Sequence, residues 1–279
     1  MAHAASDPTA RHKALMERVI IIPARYASTR YPGKPLVGLR GATGECRSLI
    51  ERSWRAACAV EDVDGVFVAT DDDRIAERAH GFGAQVVMTD AACRNGTERC
   101  ADALARLGIA PKLVVNLQGD APLTPSWFVT ALIRAIDAGA EMATPVLRLT
   151  PQTHARFLDD RRAGRVGGTT AVMNAQGRAL YFSKEILPHT GRSYAADECV
   201  PVFHHVGVYA YTPGALRAYM DAGPCALEEL EGLEQLRFLY HGLPITCVEV
   251  TAQGREFWEL NNPEDVARIE TVLVREGIA

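Results

Sequence analysis

The chain has 279 residues, of which 48% are apolar and 23% charged, and its formal net charge is −4 at pH 7. This length fits one large domain or one domain with a subsidiary lobe, and the composition is typical of a globular protein and too apolar for a disordered one. The small acidic excess gives no support to nucleic-acid binding, and the longest apolar runs are far too short to span a membrane.

The cysteines and the first residues indicate a cytoplasmic protein. The seven cysteines show no CxxC spacing, which predicts reduced thiols rather than disulfides or a zinc site. Residues 1–17 have no apolar core of the signal-peptide type, and we interpret them as a flexible polar extension. We therefore expect a cytoplasmic protein without nucleic-acid or membrane partners.

Strand and helix patterns alternate through the first 140 residues. The predicted strands are 19–23, Gly65–Thr70, Gln85–Met88 and Leu113–Leu117, and the predicted helices are 48–60, 74–80 and 97–107. Ser48 and Glu51 have the spacing of a capping box, and Asp71 to Asp73 suit a helix start. This alternation predicts an α/β fold with a doubly wound, mostly parallel sheet.

The second half of the chain has a more mixed pattern. The predicted strands are 177–183, 205–211 and 245–250, and the predicted helices are 215–221, 227–240 and 263–274. Strand-rich sequence between flanking helices predicts a smaller, mixed lobe in addition to the parallel sheet.

A cationic loop follows the first predicted strand. Arg25, Arg30 and Lys34 lie among glycine and proline in residues 23–36, and fixed cations with free backbone N–H groups are suited to binding a triphosphate. The loop is neither GxGxxG nor GxxxxGK[ST], which disfavours a Rossmann dinucleotide site and a P-loop. Ligands of parallel sheets bind at the carboxyl ends of the strands, so we expect a nucleotide site there.

The loop sequence PARYASTRYPGKPL at 23–36 resembles the PARxxSTRxPGKPL loop of the 3-deoxy-D-manno-octulosonate (KDO) cytidylyltransferase family. Further segments that resemble the family follow in chain order: LIERSW at 49–54, FVATDD at 67–72, NGTER at 95–99, NLQGDAP at 116–122, ALYFS at 179–183, HVGVY at 205–209 and LEELEGLEQLR at 227–237. The resemblance implies a Mg²⁺-dependent transfer of CMP from CTP to an anionic acceptor, in a homodimer. It also implies one nucleotidyltransferase domain over 18–279, with a CTP-binding half at about 18–140, an acceptor and dimerisation lobe at about 141–260, and a C-terminal helix at 261–279.

The resemblance assigns a role to individual residues. The expected catalytic residues are Arg25, Arg30, Lys34 and Asp120. The expected CTP-binding residues are Pro23, Ala24, Arg25, Ser28, Lys34, Asn95, Gly96, Thr97, Arg99 and Gln118. The expected acceptor-binding residues are Lys184, Arg192, His205, Tyr209, Glu231 and Gln235. The spacing places Glu228 and Gln235 on the same predicted helix face as Glu231. The expected metal ligands are Asp120 and Asn261. Asp120 follows a predicted strand near the triphosphate loop, which is a common position for a Mg²⁺ ligand.

Several positions depart from the family pattern. Asn261 stands where the family has a second metal-binding Asp, and Glu256 or Glu259 is a candidate substitute for the missing charge. Ala121, Thr170 and Lys184 replace a Glu, a Lys and an Arg. Because specificity changes through such polar replacements, we expect a small phosphonate acid such as phosphonoformate as the acceptor, with KDO as the alternative. A nucleotidyltransferase that uses another NTP, and a non-catalytic nucleotide sensor, are the other open hypotheses.

Overall fold

The computed structural model describes residues 16–27, 31–166 and 168–279. Within these ranges no helix is long and apolar enough to cross a membrane. The strands are β1 Arg18–Ala24, β2 Gly38–Arg40, β3 Cys46–Ser48, β4 Gly65–Thr70, β5 Gln85–Met88, β6 Leu113–Leu117, β7 Met142–Arg148, β8 Thr170–Met173, β9 Ala179–Ser183, β10 Phe203–His205, β11 Val208–Tyr211 and β12 Thr246–Val250. The helices are α1 Leu49–Cys58, α2 Asp73–Gly81, α3 Gly96–Leu107, α4 Ser126–Asp137, α5 Pro151–Arg162, α6 Pro213–Ala222, α7 Ala226–Glu231, α8 Leu236–Tyr240 and α9 Asp265–Arg275.

The chain divides into two compact units. The first comprises the described residues up to Ser126 together with Glu256–Ala279, and the second is Trp127–Arg255. The second unit is therefore an insertion in the first. The sequence suggested divisions near residues 140 and 260, whereas the two units separate at 126/127 and 255/256.

The first unit contains a parallel sheet in the order β5-β4-β1-β6. β1 lies between β4 and β6, and its residues Val19 to Ile22 are fully buried. A run of β-branched residues suits a strand that is covered on both faces, which is why the sequence pattern was a strong signal here. The predicted α/β fold with parallel strands is confirmed.

The last helix of the chain completes the core of the first unit. Ile269, Val272 and Leu273 of α9 are buried against Leu39 and Leu49. This apolar cluster anchors α9 to residues that lie more than 200 positions earlier in the chain.

The second unit contains a mixed sheet around β7. Val146 of β7 pairs with Glu249 of the parallel strand β12 and with His205 of the antiparallel strand β10, so these two strands lie on opposite edges of β7. β8 joins β10 and β9, both antiparallel. The expectation of a mixed second lobe agrees with this sheet.

The predicted helix 227–240 is wrong as a single helix. α7 ends at Glu231, Gly232 takes a left-handed conformation with φ 61°, and α8 begins at Leu236. The Gly232 N–H donates to the Glu228 carbonyl oxygen, and the left-handed conformation turns the chain away from the helix axis. Glu231 and Gln235 therefore do not share one helix face, although their sequence spacing suggested it.

Two smaller predictions also fail. The strand expected at 205–211 is interrupted between β10 and β11. The expected capping box at Ser48 does not form, because Ser48 makes no side-chain bond to the start of α1. Glu51 instead accepts hydrogen bonds from Arg55 at 3.2 Å and Arg78 at 3.3 Å, and it is buried by these ion pairs.

Candidate active site

The carboxyl ends of β1 and β6 lie side by side because these strands are parallel neighbours. Pro23 and Ala24 end β1, and Gln118 and Gly119 follow β6. A Cβ atom on Gly119 would lie 2.8 Å from the Pro23 carbonyl oxygen, so only glycine permits this close approach. The cationic loop and the GlnGlyAsp segment thus start from the same edge of the sheet, as predicted.

Lys34 and Asp120 form an ion pair that joins these two segments. Lys34 begins a short 3₁₀ helix, Lys34–Leu36, after Gly33, whose φ is 70°. The Lys34 Nζ atom donates to Asp120 Oδ2 at 2.7 Å, and the two side chains are 14% and 26% exposed. Both groups are thus partly open to a ligand while they neutralise each other.

Asn261 is held next to Asp120 by backbone contacts. The Leu260 N–H donates to the Asp120 carbonyl oxygen at 2.9 Å. The Asp265 carboxylate accepts from the Asn261 and Asn262 N–H groups at 2.9 and 2.7 Å, and from Trp258 Nε1 at 2.9 Å. The fold therefore brings both expected metal ligands to one region of the first unit.

The donor chemistry of this region suits Mg²⁺. Asp120 offers a carboxylate and Asn261 an amide oxygen, and Mg²⁺ takes few protein oxygens while it keeps several waters. No cluster of three or more His, Cys, Asp or Glu side chains that could bind a metal occurs in the described ranges. Of the two candidate substitutes, Glu256 is engaged with Arg268 and Arg275, whereas the Glu259 carboxylate lies 3.5 Å from Asn261 Nδ2.

The start of α3 approaches the same strand ends. Asn95 caps the helix by accepting from the Glu98 N–H at 2.9 Å, and a Cβ atom on Gly96 would lie 2.7 Å from Gln118 Nε2. Arg25 Nη1 donates to the Arg94 carbonyl oxygen at 3.4 Å. These contacts bring together residues that the resemblance assigns to CTP.

Thr97 and Arg99 are buried rather than presented to solvent. Arg99 donates to Thr89 Oγ1 at 2.5 Å and pairs with Asp71 at 3.3 Å. Its charge is therefore compensated inside the first unit, and a contact with nucleotide stays a prediction. Ser28 and Arg30 lie outside the described residues.

Glu231 and Lys184 lie together in the second unit. The Glu231 carboxylate accepts from Ser183 Oγ at 2.7 Å, from the Lys184 N–H at 3.1 Å and from the Tyr181 hydroxyl at 3.5 Å. A Cβ atom on Gly232 would lie 2.9 Å from Lys184 Nζ, which places the ammonium group at the end of α7. We use the name acceptor cluster for four of the expected acceptor-binding residues, all in the second unit: Glu231, Lys184, Tyr209 and Gln235.

Gln235 is buried with an unused donor. It is 1% exposed, and its Oε1 atom accepts from the Tyr209 hydroxyl at 3.2 Å. Its Nε2 atom has no hydrogen-bond partner among the residues that the structure describes. Because a buried amide without a partner is costly, this donor indicates a place for a polar ligand atom.

His205 is a neutral, buried residue. Its Nε2 atom lies 2.9 Å from Thr144 Oγ1, and its ring packs against Phe182 and Tyr209. Burial, with a smaller contribution from the charge of His204, lowers the pKa of His205 to about 3. His205 therefore cannot supply a positive charge to an anionic acceptor at neutral pH.

The structure places two other candidates in local ion pairs. Arg192 pairs with Glu198 at 2.8 Å and stacks on Tyr194, and its contact with an acceptor stays a prediction. Glu228 forms a two-bond pair with Arg237, at 2.7 Å for each bond.

Sequence reasoning missed the partner residues Arg237, Thr144, Ser183 and Asp265. Arg237 and Ser183 lie inside quoted motifs, but only the folded structure shows what they contact.

Comparisons with known proteins show what the chain resembles. The model of the family described as Cytidylyltransferase matches residues 19–245. The 3-deoxy-manno-octulosonate cytidylyltransferase of Maricaulis maris (strain MCS10) is 43% identical over 264 residues, which cover 94% of this chain and 99% of the relative. The mitochondrial 3-deoxy-manno-octulosonate cytidylyltransferase of Arabidopsis thaliana is 36% identical over 266 residues, which cover 94% and 86%. A CMP:2-keto-3-deoxy-manno-octonic acid synthetase solved in complex with CTP superposes with a TM-score of 0.77 and 28% identity, covering 93% of this chain and 99% of that one.

Proposed function

We propose, from the premise that this chain belongs to the KDO cytidylyltransferase family and is a CTP-dependent cytidylyltransferase, that KDO is its acceptor and CMP-KDO its product. Three relatives that are 43%, 36% and 35% identical over more than nine-tenths of this chain are named for KDO. The comparisons therefore favour the alternative acceptor, and they give no support to a small phosphonate acid.

The departures from the family pattern do not require a smaller acceptor. Thr170 Oγ1 donates to the Glu185 carbonyl oxygen at 2.6 Å and accepts from the Leu187 N–H at 3.2 Å. It thus stabilises the segment that follows β9. Ala121 is fully buried, so its side chain is part of the packing of the first unit.

The buried Gln235 amide is the observation that carries the acceptor proposal. KDO is a polyhydroxylated acid, and recognition of hydroxyl groups needs buried donors and acceptors that stay unpaired when the ligand is absent. Gln235 Nε2 is such a donor, and the Glu231 carboxylate and Lys184 ammonium lie in the same unit as oppositely charged partners for hydroxyl and carboxylate groups.

The chemistry needs positioning and charge neutralisation. A hydroxyl oxygen of the acceptor attacks the α-phosphorus of CTP, the bond to the β-phosphate oxygen breaks, and pyrophosphate leaves while the hydroxyl proton is lost to solvent. Arg25 and Lys34 bind the triphosphate, and Lys34 stabilises the charge that develops on the leaving group. Asp120 and Asn261 would hold a Mg²⁺ ion, which supplies further neutralisation of phosphate charge.

The test is a product assay with a panel of acceptors and nucleotides. Purified protein is incubated with Mg²⁺, one of CTP, UTP, GTP or ATP, and one of KDO, a sialic acid or phosphonoformate. Pyrophosphate release and mass spectrometry of the conjugate give kcat/KM for each pair. The proposal expects CTP with KDO to be preferred. Preference for phosphonoformate, or nucleotide binding without pyrophosphate release, would contradict it.

A further inference from the structure

In the Lys34–Asp120 ion pair, the lysine ammonium group contacts a carboxylate oxygen of the proposed metal ligand Asp120. Lys34 Nζ is 2.7 Å from Asp120 Oδ2, a full charge-assisted hydrogen bond between partly buried groups. An ammonium group at that distance occupies one carboxylate oxygen and repels a divalent cation that approaches the other oxygen.

The neighbouring ligand does not offset this competition. Asn261 is neutral, so Asp120 supplies the charge of the two expected ligands, and Lys34 cancels it. The nucleotide-free pair therefore has no net charge with which to attract a metal ion.

Lys34 can leave Asp120 when a stronger anion arrives. It stands at the start of a 3₁₀ helix, on a flexible four-carbon stem, in the same loop as Arg25. A triphosphate carries several negative charges against the single charge of Asp120, and it therefore competes effectively for the ammonium group.

We infer that Lys34 is an internal counter-ion that competes with metal for Asp120 and weakens metal binding there until the triphosphate draws the lysine away. This inference rests on the proposed function, in which Lys34 binds the triphosphate and Asp120 the metal. Because the coupling is reciprocal, nucleotide and metal strengthen each other's binding through this one side chain.

The first test measures metal affinity without nucleotide. Mn²⁺ is titrated into the wild-type protein, Lys34→Met and Lys112→Met, and free Mn²⁺ is followed by electron paramagnetic resonance. Lys112 pairs with Glu17 at 2.8 Å on the surface, so its variant loses the same charge elsewhere. We expect Lys34→Met to bind Mn²⁺ about tenfold more tightly than the wild type, and Lys112→Met to match the wild type. Equal or weaker binding by Lys34→Met would overturn the inference.

The second test uses the wild-type protein and needs no variant. The chain has only four lysines, so competitive acetylation followed by mass spectrometry can resolve each amine. In the metal-free protein Lys34 should react more slowly than Lys112, and saturating Mn²⁺ should speed the reaction at Lys34 alone. An unchanged rate at Lys34 would contradict displacement of the lysine by metal.

The two proposals can fail separately. Neither measurement needs an acceptor, so an enzyme that turned over another acid would leave the metal titration unaffected. An enzyme that made CMP-KDO but showed no gain of metal affinity in Lys34→Met would lose only the counter-ion inference.

Discussion

Asp120 has two tasks, as the ion-pair partner of Lys34 and as the charged member of the expected metal site. The sequence predicted both residues from their motifs, since each follows the end of a predicted strand. It did not predict that they contact each other, because side-chain partners depend on rotamers and on loop geometry that no linear pattern specifies. The same limit applies to Arg192, whose contacts with Glu198 and Tyr194 no linear pattern specifies and whose contact with an acceptor stays a prediction.

Asp120→Asn should abolish most activity because it leaves only neutral amides at the expected metal site. We expect a fall in kcat/KM of about 100-fold or more, partly relieved by higher Mg²⁺ or by Mn²⁺, which tolerates oxygen and nitrogen donors. The measurement is activity against metal concentration for each ion. Glu17→Gln, which removes the acid of the surface pair with Lys112, is the matched control and should behave as the wild type. An unaltered metal dependence in Asp120→Asn would remove this residue from the metal site.

At the scale of elements, buried strands were predictable and broken helices were not. Gly65–Thr70 and Leu113–Leu117 have the predicted bounds, because buried parallel strands leave continuous apolar, β-branched runs in the sequence. The edge strand Gln85–Met88 also has the predicted bounds, although only Val87 in it is buried. β7 was missed, since MATPVLR contains Pro145 and alternates weakly. The break at Gly232 was missed because the flanking residues fit one helical period, and the sequence pattern does not show that Gly232 takes a left-handed conformation.

Gly232→Ala should affect both the backbone and the acceptor cluster. A side chain at φ 61° costs about 1 kcal/mol of folding stability, and its Cβ would lie 2.9 Å from Lys184 Nζ. We therefore expect a lower Tm and a several-fold higher KM for the acceptor, with the KM for CTP unchanged.

Gly242→Ala is the matched control for Gly232→Ala. Gly242 has φ 73°, and a Cβ atom there would meet nothing within 4 Å. It should lower the Tm by a similar amount and leave both KM values as in the wild type. If both variants raised the acceptor KM equally, the effect would come from backbone strain alone.

At the scale of the whole molecule, the buried His205 makes stability depend on pH. Burial lowers the pKa of His205 from its ordinary value of 6.5 to about 3, and lowers that of His204 to about 4. Above pH 6.5 the folded and unfolded states are both neutral at His205. Below pH 6.5 only the unfolded state takes up a proton at His205. The free energy of unfolding therefore decreases as the pH falls toward the pKa that His205 has in the folded state.

His205→Gln should reduce this acid sensitivity. Between pH 7.5 and 5 the His205 contribution amounts to about 2 kcal/mol of unfolding free energy, because the unfolded state alone is protonated over that range. Urea unfolding at both pH values measures it, and the difference should shrink in His205→Gln. His80→Gln changes an exposed histidine on α2 and should retain the wild-type difference. A wild-type pH dependence in His205→Gln would show that other groups are responsible.

The position of α9 has a consequence for how the chain folds as it is synthesised. Ile269, Val272 and Leu273 pack on Leu39 and Leu49, yet the ribosome makes them only after the whole inserted unit. The unit that begins first is therefore completed last, and its early apolar surface stays uncovered throughout translation of Trp127–Arg255. A stalled nascent chain that ends at Arg255 should consequently show faster protease cleavage within residues 31–126 than the released full chain does. Equal cleavage rates would mean that the first sheet is protected before α9 arrives.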